Sequence, residues 1–392
     1  MKSNWQIKKL GEVCDFEGGS QPPKSNFIHE PRKGYVRFLQ IRDFASNKYI
    51  TYIPDSKKNR HCDVEDILLG RYGASVGKIL VNKKGAYNVA VMKTMPNPEM
   101  VDKSYFYYYL ISDEFQKPLS KVAARSAQAG FSKDDIYDFP VLTPPIPRQK
   151  RIVKILDEVF ENVEKAKENA EKNLKNSKEL FESYLQSVFA NPGKDWEEKS
   201  LEELGQITSS KRIYKKEYAK AGVPFYRIKE IKELAHEKNI TIELYISKKR
   251  YKEIKDVFGV PVVGDILMTA VGTIGEIYVV KNNGEFYFKD GNVLWFKDFN
   301  SVDPNFLKFV LMSFVEQIKK LSKGSAYSAL TIEKIEKHKI FLPPLSEQKA
   351  IVKKLDEFSK QTKKLEAIYK QKLADLEELK KSVLRRAFNG NL

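Results

Sequence analysis

The glycine-rich stretch "GRYGASVGK", Gly70–Lys78, comes closest in this chain to a loop that could bind the phosphates of a nucleotide. A P-loop needs four residues between its first glycine and its Gly-Lys pair, and a Ser or Thr after the lysine to bind magnesium. Here three residues separate Gly73 from Gly77, and Ile79 follows the lysine. We therefore expect a strand, a turn and a strand, with glycines where the backbone is tight.

Residues for catalysis or metal binding are scarce. The chain has four histidines without the spacing of a metal site, His29, His61, His236 and His338. The two cysteines, Cys14 and Cys62, form no recognisable motif, and the Asn-Pro-Pro-aromatic motif of amino-methyltransferases is absent. The sequence therefore predicts no catalytic residue, no metal site and no cofactor.

The net charge of +17 favours a polyanionic partner, either nucleic acid or an acidic membrane face. Lysine outnumbers arginine 56 to 13, so a lysine-rich proteome is an alternative explanation. The excess is +6 in residues 1–143 and +5 in residues 192–342, which indicates two separate basic modules. No apolar run approaches the ~20 residues that span a bilayer, and with few cysteines and no apolar leader we expect a cytoplasmic protein.

One segment occurs twice. The sequence "PPIPRQKRIVKILDE", Pro144–Glu158, matches "PPLSEQKAIVKKLDE", Pro343–Glu357, at ten of fifteen positions with an offset of 199 residues. Upstream, "DILLG" from Asp66 resembles "DILMT" from Asp265, while the offset drifts between 187 and 199. The order along the chain is therefore globular, helical, globular, helical.

Each repeated segment opens a long helix with a 3-4 apolar spacing, which is typical of a heptad seam. About 42 residues per helix would span roughly 63 Å. We expect the two helices to pair antiparallel, although two independent surface helices remain possible. The expected seam residues are Leu156, Val159, Val163, Ala166, Ala170, Asn173, Ser177, Leu180 and Tyr184 in the first helix, and Leu355, Phe358, Thr362, Leu365, Tyr369, Lys372, Leu376, Leu379 and Val383 in the second.

The doubled "PPLxEQ" start before a long helix resembles the specificity subunit of type I restriction–modification enzymes. The second copy has this motif at Pro343–Gln348, whereas the first has Arg148 at the position of the glutamate. The family's "GDIL…G…G" pattern is similar to Gly264–Leu267, followed by Gly272 and Gly275. Each motif alone is weak, but the doubled arrangement covers the whole chain.

The resemblance implies an α+β fold with two similar target-recognition domains, separated by two long antiparallel helices with pseudo-two-fold symmetry. The domain boundaries implied are residues 1–143 and 192–342 for recognition, and 144–191 and 343–392 for the spacer helices.

The same resemblance implies a subunit without catalytic activity of its own. Each recognition domain would read one half of a split, asymmetric sequence in double-stranded DNA, and the helices would set the spacer between the halves. The partners implied are two methyltransferase subunits and two ATP-dependent translocase–nuclease subunits.

Residues that read bases are expected to be arginines, which favour guanine, and polar side chains near the glycine loops. Lysines are expected to contact phosphates. The candidates in the first domain are Arg37, Arg42, Arg71, Tyr72, Ser75, Lys78, Arg125, Ser126 and Gln128. Those in the second are Arg212, Arg227, Lys229, Arg250, Thr269, Thr273, Ser325 and Tyr327.

Apolar residues beside the expected seam are candidates for docking methyltransferase helices. They are Phe160, Phe181, Leu185, Val188, Ile368, Leu373 and Leu384.

Two alternatives stay open on the sequence alone. The chain could be the recognition part of a fused nuclease–methyltransferase, which an in-frame catalytic domain would reveal. It could also be a coiled-coil protein that binds DNA without specificity, which would show no preference in a competition assay.

Overall fold

The computed structural model describes residues 5–124, 130–271, 273–321 and 331–392. The strands of the first globular part are β1 (Gln6–Lys9), β2 (Cys14–Gly18), β3 (Tyr35–Leu39), β4 (Tyr52–Pro54), β5 (His61–Cys62), β6 (Leu68–Gly70), β7 (Ile79–Leu80), β8 (Gly85–Tyr87), β9 (Val91–Pro96) and β10 (Pro140–Thr143). Its helices are α1 (Leu10–Val13), α2 (Lys103–Ile111) and α3 (Asp113–Ala123), and the long helix α4 (Ile146–Ala190) follows.

The second globular part has a similar order, with additional helices between β14 and β16. Its strands are β11 (Glu197–Ser200), β12 (Gln206–Thr208), β13 (Tyr218–Ala219), β14 (Val223–Tyr226), β15 (Tyr245–Ile246), β16 (Ile266–Thr269), β17 (Ile277–Val279), β18 (Tyr287–Phe288), β19 (Val293–Lys297) and β20 (Lys339–Leu342). Its helices are α5 (Leu201–Leu204), α6 (Ile228–Ala235), α7 (Lys248–Phe258), α8 (Pro304–Leu321) and α9 (Ile332–Glu336), before the long helix α10 (Leu345–Phe388).

The contacts group the chain into two units, residues 1–171 with 370–392, and residues 172–369. Each unit therefore holds one globular part and one portion of each long helix. The four domain boundaries expected from the sequence follow the repeat instead, and they stay a proposal.

The sheets show that the two globular parts share one topology. The order β2-β9-β6-β7 in the first corresponds to β12-β19-β16-β17 in the second, and β1-β10 corresponds to β11-β20. In the remaining sheet of each part, one pair of strands is parallel, β3 with β8 and β14 with β18. The predicted α+β fold with two similar recognition-type domains is confirmed.

The long helices run antiparallel within each unit, as predicted. In the first unit Glu164 pairs with Lys380, and the Lys167 Nζ atom lies 2.9 Å from Glu377 Oε1. In the second, the rings of Tyr184 and Phe358 lie 4.6 Å apart. Among the described residues, no helix is long and apolar enough to cross a membrane.

The heptad seam is confirmed where its residues recur every seven positions. Six such residues are buried, namely Leu156, Val163, Ala170 and Ser177 on α4, and Leu355 and Thr362 on α10. The seam prediction is wrong for three leucines that are 38–50% exposed, Leu180, Leu365 and Leu379. A two-helix pair buries a narrow stripe, and these side chains lie beside it.

The expected docking surface is wrong for two residues that the chain itself covers. Leu185 is 1% exposed and packs with Phe309 and Leu355, while Leu384 is 6% exposed in the core of the first domain. Leu185 lies where the end of α4 packs on the second globular part, and Leu384 lies where the end of α10 packs on the first, so a partner helix would find both already covered.

The other five docking candidates vary in exposure. Phe160 and Phe181 pack against rings of the globular parts, with centroids 5.3 Å from Tyr108 and 6.4 Å from Phe309. Val188 is half-buried against the same cluster as Phe181. The remaining two lie on α10, where Leu373 is half-buried and Ile368 is 50% exposed.

A buried glutamine explains why the repeated segment contains Gln at its sixth position. Gln149 is fully buried, and its Oε1 accepts from the Asp102 amide at 2.7 Å. Its Nε2 donates to the carbonyls of Met100 and Pro144 at 2.9 and 2.7 Å. One side chain thus ties the start of α4 to the N-terminal cap of α2, because Asp102 caps that helix.

Gln348 repeats the arrangement in the second unit. Its Oε1 accepts from the Asp303 amide at 2.8 Å, and its Nε2 donates to Pro343 at 2.9 Å and Ser301 at 3.4 Å. Each long helix is therefore fixed to its own globular part by a buried and fully bonded amide.

Candidate nucleic-acid interface

In the first domain, four chain segments meet at the turn formed by Asn88–Ala90. The Asn88 amide donates to Leu39 O at 3.1 Å, which ties the turn to the end of β3. The Ala90 carbonyl accepts from Arg71 N at 2.9 Å, which ties it to the loop after β6. Beside the turn, the end of β2 is held through Gly19 N to Val91 O at 3.1 Å.

We call residues 18–20, 40–44, 70–78 and 88–90 the first strand-end surface. Several predicted DNA-binding residues lie on it, Arg42, Arg71, Tyr72, Ser75 and Lys78. Arg37 lies within β3 instead, where its Nη2 donates to Asn47 Oδ1 at 2.8 Å.

The first strand-end surface combines guanidinium groups with aromatic rings. The guanidinium carbon of Arg71 lies 5.1 Å from the ring centre of Tyr72, which is 47% exposed. The guanidinium carbon of Arg42 lies 5.3 Å from the ring centre of Tyr49. Within the described residues, neither arginine has an ion pair with a carboxylate. Both can still donate hydrogen bonds to a ligand.

The glycine loop of this surface has the predicted strand-turn-strand form. The Gly70 amide donates to Lys78 O at 2.9 Å, and the Gly77 amide donates to Gly70 O at 3.0 Å. Gly77 has a φ of +79°, and a Cβ there would lie 2.6 Å from Gln116 Oε1. The glycine serves packing and backbone conformation, and the loop presents side chains rather than a phosphate cradle.

In the second domain the turn at residues 289–292 occupies the corresponding position. The Lys289 amide donates to Tyr226 O at the end of β14, and the Asn292 carbonyl accepts from Ala270 N, both at 2.9 Å. The Gly291 amide donates to Ser209 Oγ at 3.1 Å. We call residues 208–212, 227–230, 269–275 and 289–292 the second strand-end surface, of which Gly272 is not described.

The second surface differs because carboxylates hold its arginines and Lys229. Arg212 Nε lies 2.6 Å from Asp290 Oδ2, and Lys229 Nζ lies 2.7 Å from Glu243 Oε1. Arg227 binds Glu230 through two nitrogens and reaches Glu243 at 2.8 Å. These hydrogen bonds, first those with Glu230, raise the pKa of Arg227. Its guanidinium is thereby fixed in one orientation.

The same contacts keep the Glu230 carboxylate ionised. Burial alone would raise the pKa of Glu230, but the hydrogen bonds from Arg227 lower it below the ordinary value. In the first domain Asp43 is also buried, and it accepts from the Gln40 amide at 2.7 Å just as Glu230 accepts from the Arg227 amide at 2.8 Å. A capped turn thus follows β3 in the first domain and β14 in the second. Only in the second domain does an arginine side chain also bind the buried carboxylate.

Two predictions for the second domain need correction. Thr269 is fully buried, and its hydroxyl bonds to the Thr273 carbonyl, so it holds the loop and does not face a ligand. Arg250 on α7 pairs with Glu217 at 2.8 Å and Glu253 at 3.2 Å, so carboxylates already hold it. Thr273 itself is exposed. The predicted residues Arg125, Ser126, Gln128, Ser325 and Tyr327 lie outside the described residues.

Sequence reasoning missed the residues of the two turns. Asn88 and Lys289 lie at the centre of the strand-end surfaces, and the Asn292 carbonyl accepts a hydrogen bond from the Ala270 amide. The signal was present as the dipeptide "NV" at Asn88 and at Asn292, which lies in the turn before β9 and at the start of β19. Within the described ranges, no group of three or more His, Cys, Asp or Glu side chains could hold a metal ion.

Comparison with known proteins identifies the family. The model of the "Type I restriction modification DNA specificity domain" matches residues 2–173 and again 193–377. The EcoBI type I restriction enzyme specificity subunit of Escherichia coli is 23% identical, over 99% of this chain and 86% of its own. A candidate type I restriction enzyme specificity subunit of Haemophilus influenzae is 28% identical, over 91% of each chain.

Solved structures share the fold. A chain from a study of the assembly and conformational transition of the type I R-M system superposes with a TM-score of 0.81 at 20% identity, over 100% of this chain and 99% of that one. The HsdS subunit of Thermoanaerobacter tengcongensis gives a TM-score of 0.64 at 20% identity, over 100% and 98% of the chains. Since the family model matches both globular parts and most of the helical segments, the chain belongs to the type I restriction–modification DNA specificity family.

Proposed function

We propose that each strand-end surface reads one half of a bipartite DNA sequence. The observation that carries this proposal is that both domains bring four chain segments together at one turn. Exposed or oriented cations surround this turn in both domains. Arginine and asparagine side chains at such positions match the hydrogen-bonding edges of guanine and adenine in the major groove. The net charge of +17 supplies the sequence-independent attraction to phosphates.

The two half-sites differ in sequence on this proposal. The first surface presents arginines that pack against tyrosine rings, whereas the second presents arginines fixed by carboxylates. Fixed guanidinium groups favour a single bidentate geometry. Surfaces of such different chemistry select different bases, so the target is asymmetric.

The chain itself performs no reaction on this proposal, and in the cytoplasm it directs two methyltransferase and two ATP-dependent translocase–nuclease subunits to the DNA. Family membership supports the class of partner, and the stoichiometry belongs to the proposal.

Exchange of one recognition domain tests the function. A chain in which another family member's first domain replaces residues 1–143 is expected to change one half of the methylated motif. The other half should persist, because residues 192–342 carry their own strand-end surface. The readout is sequencing of methylated bases in cells that express the chain with its methyltransferase. Simultaneous change of both halves would contradict independent reading.

We propose that methyltransferase helices cover the apolar residues left beside the seam. Leu365, Ile368 and Leu379 recur on α10 at spacings that place them on one side of the helix, and they are 38–50% exposed. Leu180 on α4 is equally exposed. A stripe of this kind on long helices fits added helices better than a flat partner.

A charge on this stripe should weaken docking. The variant with Ile368→Asp and Leu379→Asp is expected to lose co-purification with the methyltransferase and to keep its melting temperature. Ala374→Asp is the matched control, because Ala374 is exposed on another side of α10. Leu384→Asp should instead unfold the first domain, since that side chain is buried. Retained co-purification of the double variant would exclude this docking surface.

A further inference from the structure

The second domain contains an insertion that the first lacks. In the first domain, 22 residues separate Asp43, the buried carboxylate of the capped turn, from Asp66, which precedes the glycine loop. In the second domain, 34 residues separate the corresponding residues Glu230 and Asp265. All of the first interval is described, and it holds strands and turns but no α-helix. The longer interval contains the eleven-residue helix α7. This helix is therefore an addition to the shared topology.

Helix α7 is firmly anchored on one side. Tyr251 and Ile254 are 5% and 1% exposed, and they pack in a core cluster with Phe225 and Tyr287 from the neighbouring sheet. At its start, Ser247 Oγ accepts from the Arg250 amide at 3.1 Å. These contacts hold α7, and with it the solvent-exposed side of the helix, at a fixed position relative to the second strand-end surface.

The free side of α7 is a stripe of lysines. Lys248, Lys252 and Lys255 are exposed at spacings of four and three residues, so they line one face of the helix. Asp256 lies near them, but in the part of the chain that the structure describes no ion pair joins a carboxylate to any of the three. By contrast, the arginines and Lys229 of the second strand-end surface are paired.

The end of α7 is apolar and open. Val257 and Phe258 are 72% and 47% exposed, and Gly259 ends the helix with a φ of +78°. The ammonium group of Lys211 lies 4.7 Å from the centre of the Phe258 ring. Since Lys211 belongs to the second strand-end surface, the tip of α7 is continuous with that surface.

We propose that α7 is a second DNA-contacting element of this domain, resting on the proposed reading of DNA by the strand-end surfaces. Lys248, Lys252 and Lys255 bind backbone phosphates beside the second half-site. Phe258 packs against sugar and base edges in the groove, as apolar side chains of minor-groove proteins do. Three unpaired cations in a row complement phosphates, whereas a docking site for a protein helix would be mainly apolar.

The test is the salt dependence of DNA binding. The chain assembled with its methyltransferase subunits is titrated onto a duplex that carries the motif read from methylated DNA. Replacing the three lysines by alanine should lower the slope of log K against log salt by about 2.7, since each phosphate contact contributes about 0.9. The methylated motif should stay the same, because phosphate contacts carry no sequence information.

A matched control removes the same number of charges elsewhere in the domain. Lys199 is half-buried, Lys337 and Lys339 are exposed, and all three pair with glutamates. Their replacement by alanine should therefore leave the slope nearly unchanged. Phe258→Ala should weaken binding at every salt concentration without changing the slope, and Phe258→Leu should restore part of the loss.

The outcomes separate this proposal from the function on which it rests. If the parent assembly binds its motif specifically and the α7 variant keeps the parent slope, the proposal for α7 is wrong while the function stands. If the variant loses co-purification with the methyltransferase but keeps the slope, α7 docks protein, and the proposal is again wrong. A parent assembly without sequence preference would overturn the proposed function itself.

Discussion

A chain with four extra residues in each long helix is expected to direct methylation to the same two half-sites with one or two more base pairs between them. The insertions belong between Glu168 and Asn169 in α4 and between Asp375 and Leu376 in α10. These positions face each other, because Glu164 pairs with Lys380 and Lys167 with Glu377. Both helices thus lengthen at one level, and the antiparallel pairing is retained.

The expected change follows from two right-handed helices. Four residues add about 6 Å along an α-helix and turn it by about 40° beyond one full turn. One to two base pairs add about 3.4 to 6.8 Å and turn B-DNA by roughly 35° to 70°. If the paired helices run along the DNA, distance and rotation are satisfied together.

An insertion of two residues in each helix is the contrasting variant. It adds about 3 Å but rotates the chain beyond it by about 200°, which no single added base pair can match. We expect methylation to fall below detection although the protein remains folded. The measurement is again the methylated motif, with circular dichroism as the check on folding. An unchanged spacer in the four-residue variant would show that the helices do not set the distance.

Replacing the buried glutamine of either long helix should cause a large loss of stability. Gln149→Leu leaves the Asp102 amide and the carbonyls of Met100 and Pro144 without their partner. Each unsatisfied buried group costs about 1–3 kcal/mol, so the free energy of unfolding should fall by about 3–5 kcal/mol. Gln348→Leu should behave alike in the second unit. Urea denaturation measures both.

Two further variants sharpen this prediction. Gln361→Leu changes an exposed glutamine of α10 and should have little effect on stability. Gln348→Glu places a carboxylate against the Pro343 carbonyl, and its pKa in the folded state should be raised by burial and repulsion. Its stability should therefore increase as the pH falls through that raised pKa. If Gln149→Leu and Gln348→Leu each lower the free energy of unfolding by less than about 1 kcal/mol, the amides do not fix the helices.

The sequence predicted those features that depend on periodicity and repetition. Leu156, Val163 and Ala170 were predicted for the seam by spacing alone, and the doubled topology followed from the repeat. Leu185 and Leu384 could not be placed, because what covers them comes from α8 and from the core of the first domain.

Side-chain partners that are distant in the sequence could not be predicted either. Arg227 looked like a free base-reading residue, but Glu243, sixteen residues away, holds it together with Glu230. Thr269 has a residue type suited to DNA contact, yet its hydroxyl closes its own loop. Residue type indicates which bonds are possible, whereas the fold decides which of them are already made.

The turn at the centre of each strand-end surface is built largely from main-chain amides and carbonyls, such as Asn88 N to Leu39 O and Lys289 N to Tyr226 O. Every residue type offers a carbonyl and all but proline an amide, so most substitutions there leave these bonds intact. Selection can therefore alter the side chains, and with them the preferred bases, while the supporting turn is inherited unchanged. A lineage can in this way acquire a new target sequence by few mutations, or by recombination of one domain, without evolving a new fold.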